Sequence, residues 1–388
     1  MRPLDGVTVV SLEQAVAVPY ASRLLADLGA RVIKVERPGG GDFARDYDTA
    51  CGSVSSYFAW TNVGKESVAL DLKDPAGREV VDRLVAVADV VLCNLSPDAA
   101  RRLGLDADSL RRGKPGLVVG ELSAYGTDGP YAGRKAFDAL VQSEVGLVEL
   151  TGDGEVTARA GISVADIAAG VQLHSAVLAA LLHRARTGEG ATLRLSLFEA
   201  MAEWMHQPML YAAGTGAAAP RTGAHHPSIA PYGPFRCADG AVHLAVQNDP
   251  QWRRLCRVLG RPELADDPRF GTVGSRVAHR AALHAALDFS AWAAADLLAA
   301  LDGADVPAAR TRTVAELPEH PQVVARDRLT GVTVPGGGVP LLRPPVDSSA
   351  WGWEPAPVPS PGEHTERVVR ELGYSEEEVR ALLATAAR

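Results

Sequence analysis

Short apolar runs alternate with stretches of helical spacing through the first half of the chain. Residues 7–12 form a β-branched, mostly apolar run. Apolar positions then recur at helical spacing over 19–28 and stop at Gly29, and 31–36 return to a β-branched strand. A helix over 74–87 precedes the buried-strand run Asp89-Val-Val-Leu-Cys-Asn94, and 117–121 reads as a further strand. Helices set between continuous apolar strands predict parallel βαβ units, hence an α/β fold with a doubly wound parallel sheet. Ligands of such sheets lie beyond the carboxyl ends of the strands.

The clearest helix covers 166–187, is rich in Ala, Leu and Val, and stops at Gly188; a strand over 191–196 and a helix over 197–213 follow. Gly, Ala, Pro and Thr then dominate, so 214–226 reads as a linker. Residues 227–330 read as a smaller α+β domain that opens with a strand pair around Ala238-Asp239-Gly240. The proline-rich segment 334–361 is expected to be an extended connector. The last helix, 375–384, carries Glu376 to Glu378 in its first turn, where the helix dipole favours negative charge. No internal repeat is present.

Composition sharpens this picture. At 388 residues the chain exceeds the roughly 250–300 at which one core stops growing, so two folding units are expected. It is 47% apolar and 22% charged, ordinary globular usage. Phe, Trp and Tyr supply only 5%, which leaves the core to Ala, Val and Leu. A net charge of −8 argues against nucleic-acid and anionic-membrane partners. An anionic ligand would need a local basic pocket set against that charge. The opening Met-Arg-Pro-Leu-Asp-Gly has no signal-peptide core, and no stretch is expected to reach the ~18 apolar residues of a membrane span. Cys51, Cys93, Cys237 and Cys256 lie far apart, as reduced cysteines rather than a disulfide framework or a zinc site. These features together suit a cytoplasmic enzyme.

The chain has no G-x-G-x-x-G, Walker A loop, G-x-S-x-G elbow or H-E-x-x-H. Gly39-Gly40-Gly41-Asp42 opens no helix and is weak as a phosphate loop. The adjacent His225 and His226 have no metal-ligand spacing. Asp166 stands out, at the entry of the apolar helix in Gly161-Ile-Ser-Val-Ala-Asp166-Ile-Ala-Ala-Gly170. Two readings of it stay open. In one, Ser163 is the N-cap and Asp166 reaches back to its amide. In the other, a carboxylate held ionised and exposed at a helix N-terminus is a nucleophile.

Four widely spaced blocks resemble the class III CoA-transferases, the group of formyl-CoA transferase, carnitine CoA-transferase and alpha-methylacyl-CoA racemase. They are Leu25-Ala-Asp-Leu-Gly-Ala-Arg-Val-Ile-Lys-Val-Glu-Arg-Pro38 with Gly41, Asp42 and Arg45; Asn62-Val-Gly-Lys65 with Leu70-Asp71-Leu72; Tyr125-Gly126 through Gly129-Pro130 to Lys135-Ala-Phe-Asp138 and Gln142; and Asp166 with Arg186-Thr-Gly-Glu-Gly190. Gly362-Glu-His-Thr365 and Glu371-Leu-Gly-Tyr374 fit as well, so the resemblance spans essentially the whole chain.

The resemblance implies an enzyme with no tightly bound cofactor, whose substrates are an acyl-CoA thioester and a small carboxylic acid. It implies Asp166 as the nucleophile, passing through aspartyl anhydride and aspartyl-CoA thioester intermediates, with Asp138 as the acid beside it. Val16, Arg37, Asn94, Arg102 and Lys135 match CoA-contact positions; Arg134 beside Lys135 could substitute for it. A large domain (1–213) is implied to be completed by the returning chain (331–388) around the inserted small domain, with two such chains interlocked as a homodimer.

Some positions depart from the family pattern. Phe137 stands where racemases of the family place a histidine, and a phenyl ring moves no proton. This weakens the alternatives of a racemase or isomerase; a non-catalytic CoA-binding protein is the other rival. Glu66, Cys93, Leu95 and Asp98 also depart from the usual pattern, which bears on the CoA contacts. In place of a glycine-rich flap the chain carries Thr222-Gly-Ala-His-His-Pro-Ser-Ile-Ala-Pro-Tyr-Gly233. That segment resembles members acting on succinate-, itaconate- or mesaconate-like acids, with His225, His226 and Tyr232 expected near the distal carboxylate.

Overall fold

A computed structural model describes residues 1–386, in two compact units. The larger is assembled from Met1–Val145, Gly161–Met205 and the chain from Gln322 onward; the smaller comprises Gly146–Ala160 and His206–Pro321.

The larger unit is built on a six-stranded sheet of β1 (Thr8–Leu12), β2 (Arg31–Glu36), β3 (Lys65–Ala69), β4 (Val90–Cys93), β5 (Val118–Ser123) and β6 (Thr192–Ser196). Every pairing is parallel and the order is β3-β2-β1-β4-β5-β6. The expected doubly wound sheet is therefore present, with its strand order reversing between β1 and β4. The crevice beyond that switch point is where such sheets bind ligands. Helices α1 (Ala17–Asp27), α2 (Pro75–Val87), α3 (Pro97–Arg102), α4 (Asp138–Glu144), α5 (Val164–Thr187) and α6 (Leu197–Trp204) belong to this unit.

Strand side chains alternate between faces, so each strand serves two layers. Val10, Leu12, Ile33, Val35, Val91 and Val119 share one face with Val80, Val81 and Leu84 of α2 and with Val368 and Val369 near the C-terminus. Each such fully buried side chain contributes on the order of 1.5–3 kcal/mol. Helix α2 starts where Asp74 accepts from the Ala76 amide and Pro75 occupies the first turn.

The opposite face carries α1 and α5. At 24 residues, and with a mean hydropathy of 1.5 over its most apolar window, α5 is long and apolar enough to cross a membrane by length and composition. This corrects the expectation that no stretch would qualify. Here its Ala165, Ala168, Ala169, Leu173 and Val177 are buried within the unit. Gly170 permits the close approach of α1: a Cβ there would lie 2.8 Å from the Ala17 carbonyl oxygen and 3.0 Å from Tyr20 Cδ1. Leu173 occupies the space over Gly120 of β5, 3.0 Å from where a Cβ would stand. Gly188, with φ 80°, ends α5 in the left-handed conformation that glycine adopts without strain.

The same face holds a buried polar network that joins the carboxyl-terminal parts of β1 and β2 to Lys65 at the start of β3. Lys65 Nζ donates to Glu13 Oε1 (2.6 Å), the Pro19 carbonyl (2.9 Å) and Asn62 Oδ1 (3.0 Å), so its three protons are all placed. Lys34 Nζ donates to Asp42 Oδ2 (2.8 Å) and Glu13 Oε1 (3.3 Å). Arg45 meets Glu36 through two bonds of 2.7 and 2.9 Å, with its guanidinium carbon 3.7 Å from the Phe58 ring centre. Burial alone would raise Glu13, but Lys65 and Lys34 overcome it and hold the carboxyl down at about 2.

Two expectations along the chain are revised. The helix over 197–213 is two helices, α6 and α7 (His206–Thr215), because Pro208 lacks the amide that would bond back into α6. The segment 334–361 is not wholly extended: Leu329–Val334 and Gly337–Leu342 form an antiparallel hairpin. Val332, Val334 and Leu341 of that hairpin pack with Val54 and Phe58.

In the smaller unit, Tyr232–Cys237, Gly240–Ala245 and Ala308–Arg310 form an antiparallel sheet. It packs with Trp252, Leu255, Phe270, Leu297 and Leu301. Part of the 214–226 segment is tied down within this unit, where Arg221 donates to the carbonyls of Gly154 and Glu149, both at 2.7 Å. The hairpin of Gly152–Asp153 and Val156–Thr157 has no apolar periodicity to announce it.

Removing one member of a buried ion pair typically costs about 3–5 kcal/mol. Lys65→Met is therefore expected to lower the free energy of unfolding by an amount in that range, read as a lower urea midpoint at unchanged m. An unchanged midpoint would mean that the network contributes nothing to stability.

Candidate active site

Two carboxylates meet at the start of α5. The N-cap residue, Ser163, has ψ 68° and its side chain makes no capping bond. Its place is taken by Asp138 from the first turn of α4. Asp138 Oδ1 accepts from the amides of Ala165 (2.8 Å) and Asp166 (3.4 Å), while Gln142 Nε2 donates to Oδ2 (2.6 Å). Gln142 Nε2 also lies 3.4 Å from the Ile162 carbonyl it donates to, which ties α4 to the entry of α5. The local capping reading of Asp166 does not survive. Among the described residues Asp166 makes no bond back to Ser163, and Asp138 caps its neighbour's helix rather than its own, whose N-cap is Phe137.

Asp166 is thus left free of a capping duty and only partly exposed. Burial, followed by the like charge of Asp138, pushes its carboxyl up to about 7. The α5 N-terminus pulls the other way by favouring negative charge. The expectation of a plainly ionised, exposed carboxylate is replaced by one poised near neutrality, where loss of its proton yields a more basic attacking oxygen. Burial and the charges of Asp42 and Asp166 also push Tyr47 up to about 12, which puts the tyrosine within reach of the site's field.

Asp166 opens into a cavity of about 260 Å³ at the sheet's switch point. Its walls include Gln14 and Ala15 after β1, Asn94 after β4, and Lys135 and Phe137 before α4. Asn94 clamps the two strand ends together: its Oδ1 accepts from the Gln14 amide (3.0 Å) and its Nδ2 donates to the Gln14 carbonyl (2.8 Å). Ala15 has φ 64°, a left-handed conformation uncommon for a residue with a Cβ. Asp42 Oδ1 holds it by accepting from its amide at 3.1 Å. The Gly39-Gly40-Gly41-Asp42 run therefore works through Asp42, as a brace for the site loop and as a buried acid.

The cavity brings together Asp166, Asn94 and Lys135 of the residues singled out from sequence, with Asp138 behind Asp166. The others lie elsewhere. Val16 is buried, with its side chain packed inward, and the wall at that loop is made by Gln14, Ala15 and Ala17 instead. Arg37 is exposed and its Nε donates to the Gly41 carbonyl at 2.8 Å. Arg102 is exposed at the last turn of α3, and it is Arg101 that borders a neighbouring cavity of about 450 Å³. Cys93 also borders that second cavity, but burial pushes its thiol up to about 12 and keeps it neutral.

His225, His226 and Tyr232 belong to the smaller unit. The His225 ring packs 4.5 Å from that of His284 and 5.6 Å from Phe235. Burial lowers its pKa, which favours a neutral, packed imidazole. His226 stacks on Tyr232 at 5.2 Å, and its Nδ1 accepts from the Ser228 amide at 3.1 Å. Among the described residues no group of three or more His, Cys, Asp and Glu is placed to hold a metal ion.

Sequence reasoning missed the part played by Gln142, although it was quoted within a motif, and gave no role to Phe43 or Ala15. Only the Gly41-Asp42 pair, standing after a strand end, signalled that this loop had a task.

The chain is similar over nearly its whole length to proteins of one family. Residues 4–365 match the family described as CoA-transferase family III. A succinate–glutarate CoA-transferase of Agrobacterium fabrum is 37% identical over 387 residues, covering 95% of this chain and 96% of its own. An acetyl-CoA:oxalate CoA-transferase of Acetobacter aceti is 37% identical over 346 residues, covering 87% of this chain and 89% of its own. A crystal structure of a CAIB/BAIF family protein from Brucella suis superposes with a TM-score of 0.86 at 37% identity, over 96% of this chain and 99% of that one. A partly buried aspartate at a helix entry, a cavity at the switch point and likeness over nearly the whole length lead to one assignment: the chain is an enzyme of CoA-transferase family III.

Proposed function

We propose that this enzyme moves CoA from an acyl-CoA thioester to a short dicarboxylic acid, with Asp166 as the covalent carrier. The observation that carries the proposal is the carboxylate of Asp166, opening from the first turn of α5 into a cavity that also presents Arg134 and Lys135. The dicarboxylate comes from relatives named for succinate, glutarate and oxalate.

An oxygen of ionised Asp166 attacks the thioester carbonyl, the C–S bond breaks, and CoA leaves as thiolate from a mixed anhydride. The thiolate attacks the aspartyl carbonyl of the anhydride, releasing the donor carboxylate and leaving an aspartyl-CoA thioester. The acceptor carboxylate then attacks that thioester and expels the thiolate. The thiolate takes the acceptor's acyl carbon and regenerates Asp166. No oxidant or net proton is needed, and dividing the transfer into covalent steps is nucleophilic catalysis. Asp138 keeps the α5 entry and the attacking carboxylate in place. Asn94 and Lys135 are assigned to CoA at the cavity, and Arg37, Arg102 and the backbone around Val16 to its more distant parts. Phe137 lines the cavity without an ionisable group, which favours transfer over racemisation. A cytoplasmic homodimer, interlocked through its two-unit chains, completes the reading.

Asp166→Asn keeps the side chain's shape but removes the nucleophile, so kcat is expected to fall at least about 10³-fold in a folded protein. Rapid quench of the wild type with acyl-CoA and hydroxylamine should label Asp166; substantial turnover by the variant, or label elsewhere, removes the mechanism.

The pH dependence follows from a carboxyl raised from 3.8 to about 7. The loading half-reaction, read as kcat/KM for the donor, is expected to rise with pH through about 7. A folded pKa above the unfolded value means that stability is lost as pH rises from the unfolded pKa to the folded one. Asp166→Asn should therefore gain stability over the wild type between pH 4 and 8, by on the order of 4 kcal/mol at the upper end. A pH-independent difference would place the titration elsewhere.

A threaded dimer separates only through substantial unfolding. Mixing two differently labelled preparations under native conditions should give no mixed dimers over hours by native mass spectrometry, and rapid exchange or a monomer would exclude the interlock.

A further inference from the structure

The residues lining the Asp166 cavity carry one carboxylate, Asp166 itself, and two cations, Arg134 and Lys135. This is a local positive excess on a chain of net charge −8. Much of the remaining wall is apolar, including Ala15, Phe43, Leu122, Ala132, Phe137 and Leu197.

Arg134 is held in an unusual way. Its guanidinium carbon sits 3.8 Å from the centre of the Tyr131 ring, and its amide donates to the Tyr131 carbonyl at 2.8 Å. Tyr131 meets Tyr125 edge-on at 5.4 Å, and Tyr125 leans on Phe198 of α6 at 5.9 Å. The guanidinium plane is thereby stacked on an aromatic stair rooted in a helix. Among the described residues it makes no ion pair with a carboxylate, whereas Arg101 pairs with Asp98, and Arg194 with Asp108 and Glu121. Stacking uses the face of a guanidinium and leaves the N–H edge for a ligand, and that fork matches a carboxylate through two parallel hydrogen bonds.

We propose that Arg134 is a specificity-determining residue of this transferase, binding the carboxylate of a dicarboxylic substrate that does not react at Asp166. The inference rests on the dicarboxylate reading above and adds the group that recognises the second charge. A carboxylate entering a partly apolar cavity needs a charge-matched donor, because an unpaired anion there is costly. Lys135, a flexible point charge, is left to the CoA thioester's own anionic groups. Arg134 also borders a neighbouring open cavity of about 540 Å³ with Tyr125, Leu140, Ser143 and Glu144, so a substrate tail has room to reach its edge.

The test measures kcat/KM for glutarate and for valerate, equal in length and differing in one carboxylate, at a fixed acyl-CoA donor. In a ping-pong scheme this quantity reports only the acceptor half-reaction. Arg134→Leu is expected to lower the glutarate-to-valerate ratio about ten- to a hundredfold, and Arg134→Lys to restore part of it. Because the side chain is exposed, folding is checked by an unchanged thermal midpoint. An unchanged ratio, with both acceptors losing equally, overturns the proposal. So does a rise in the donor KM alone, which would make Arg134 a CoA-phosphate contact. A wild type that shows no preference for glutarate over valerate would instead sink the dicarboxylate reading itself, and this proposal with it.

Discussion

The working geometry of this protein depends on charges that have no access to water. Glu13, Glu36 and Asp42 are matched inside the larger unit by Lys34, Lys65 and Arg45. These six side chains come from the ends of three strands and from the loop that follows β2. Desolvating them is expensive and the pairing repays it only when every bond has its partner. The network therefore admits one arrangement of those chain segments. Asp42 conveys that constraint to the site by holding Ala15 in its left-handed turn, and Asn94 carries it across to β4 by bonding both backbone groups of Gln14.

A second constraint acts at the nucleophile. The turn at Ser163 leaves the α5 amides without a local cap, and Asp138 supplies one from another helix. One carboxylate therefore does two things to its neighbour. It fixes the peptide that carries Asp166, and its charge keeps the proton of Asp166 from leaving too easily. A neutral cap would give the first effect without the second. This separation of position from basicity is why an acid, rather than a serine or asparagine, is useful at 138.

Sequence and structure agree best where a pattern is repeated. Strand periodicity and the Gly29 and Gly188 stops made the parallel sheet and α5 legible, because burial of both sheet faces leaves uninterrupted apolar runs. Lys34, within such a run, gave no sign that it was buried, since its partners lie 8 and 21 residues away in sequence. Asp166 was legible as a residue but not in its state, because that state comes first from burial in the folded unit and then from the charge of Asp138, 28 positions earlier. The break at Met205 was hidden by continuous helical spacing, and only Pro208 marked it. Arg37 and Arg102 were singled out by motif position alone, which fixes where a residue sits in the chain but not where its side chain points.

The route of the chain through the larger unit sets a condition on its biosynthesis. The sheet's last strand is complete at Ser196, yet Val368, Val369 and Val379 help seal one face of the sheet, and Arg31 at the start of β2 bonds to Glu371. Between those points the ribosome must make His206–Pro321, the greater part of the smaller unit. A nascent chain that has already emerged through β6 thus leaves part of a valine-rich sheet face uncovered until Val368, Val369 and Val379 leave the exit tunnel. Such surfaces invite aggregation, so chaperone protection of the elongating polypeptide matters more here than for a domain whose strands and covering helices are contiguous in sequence.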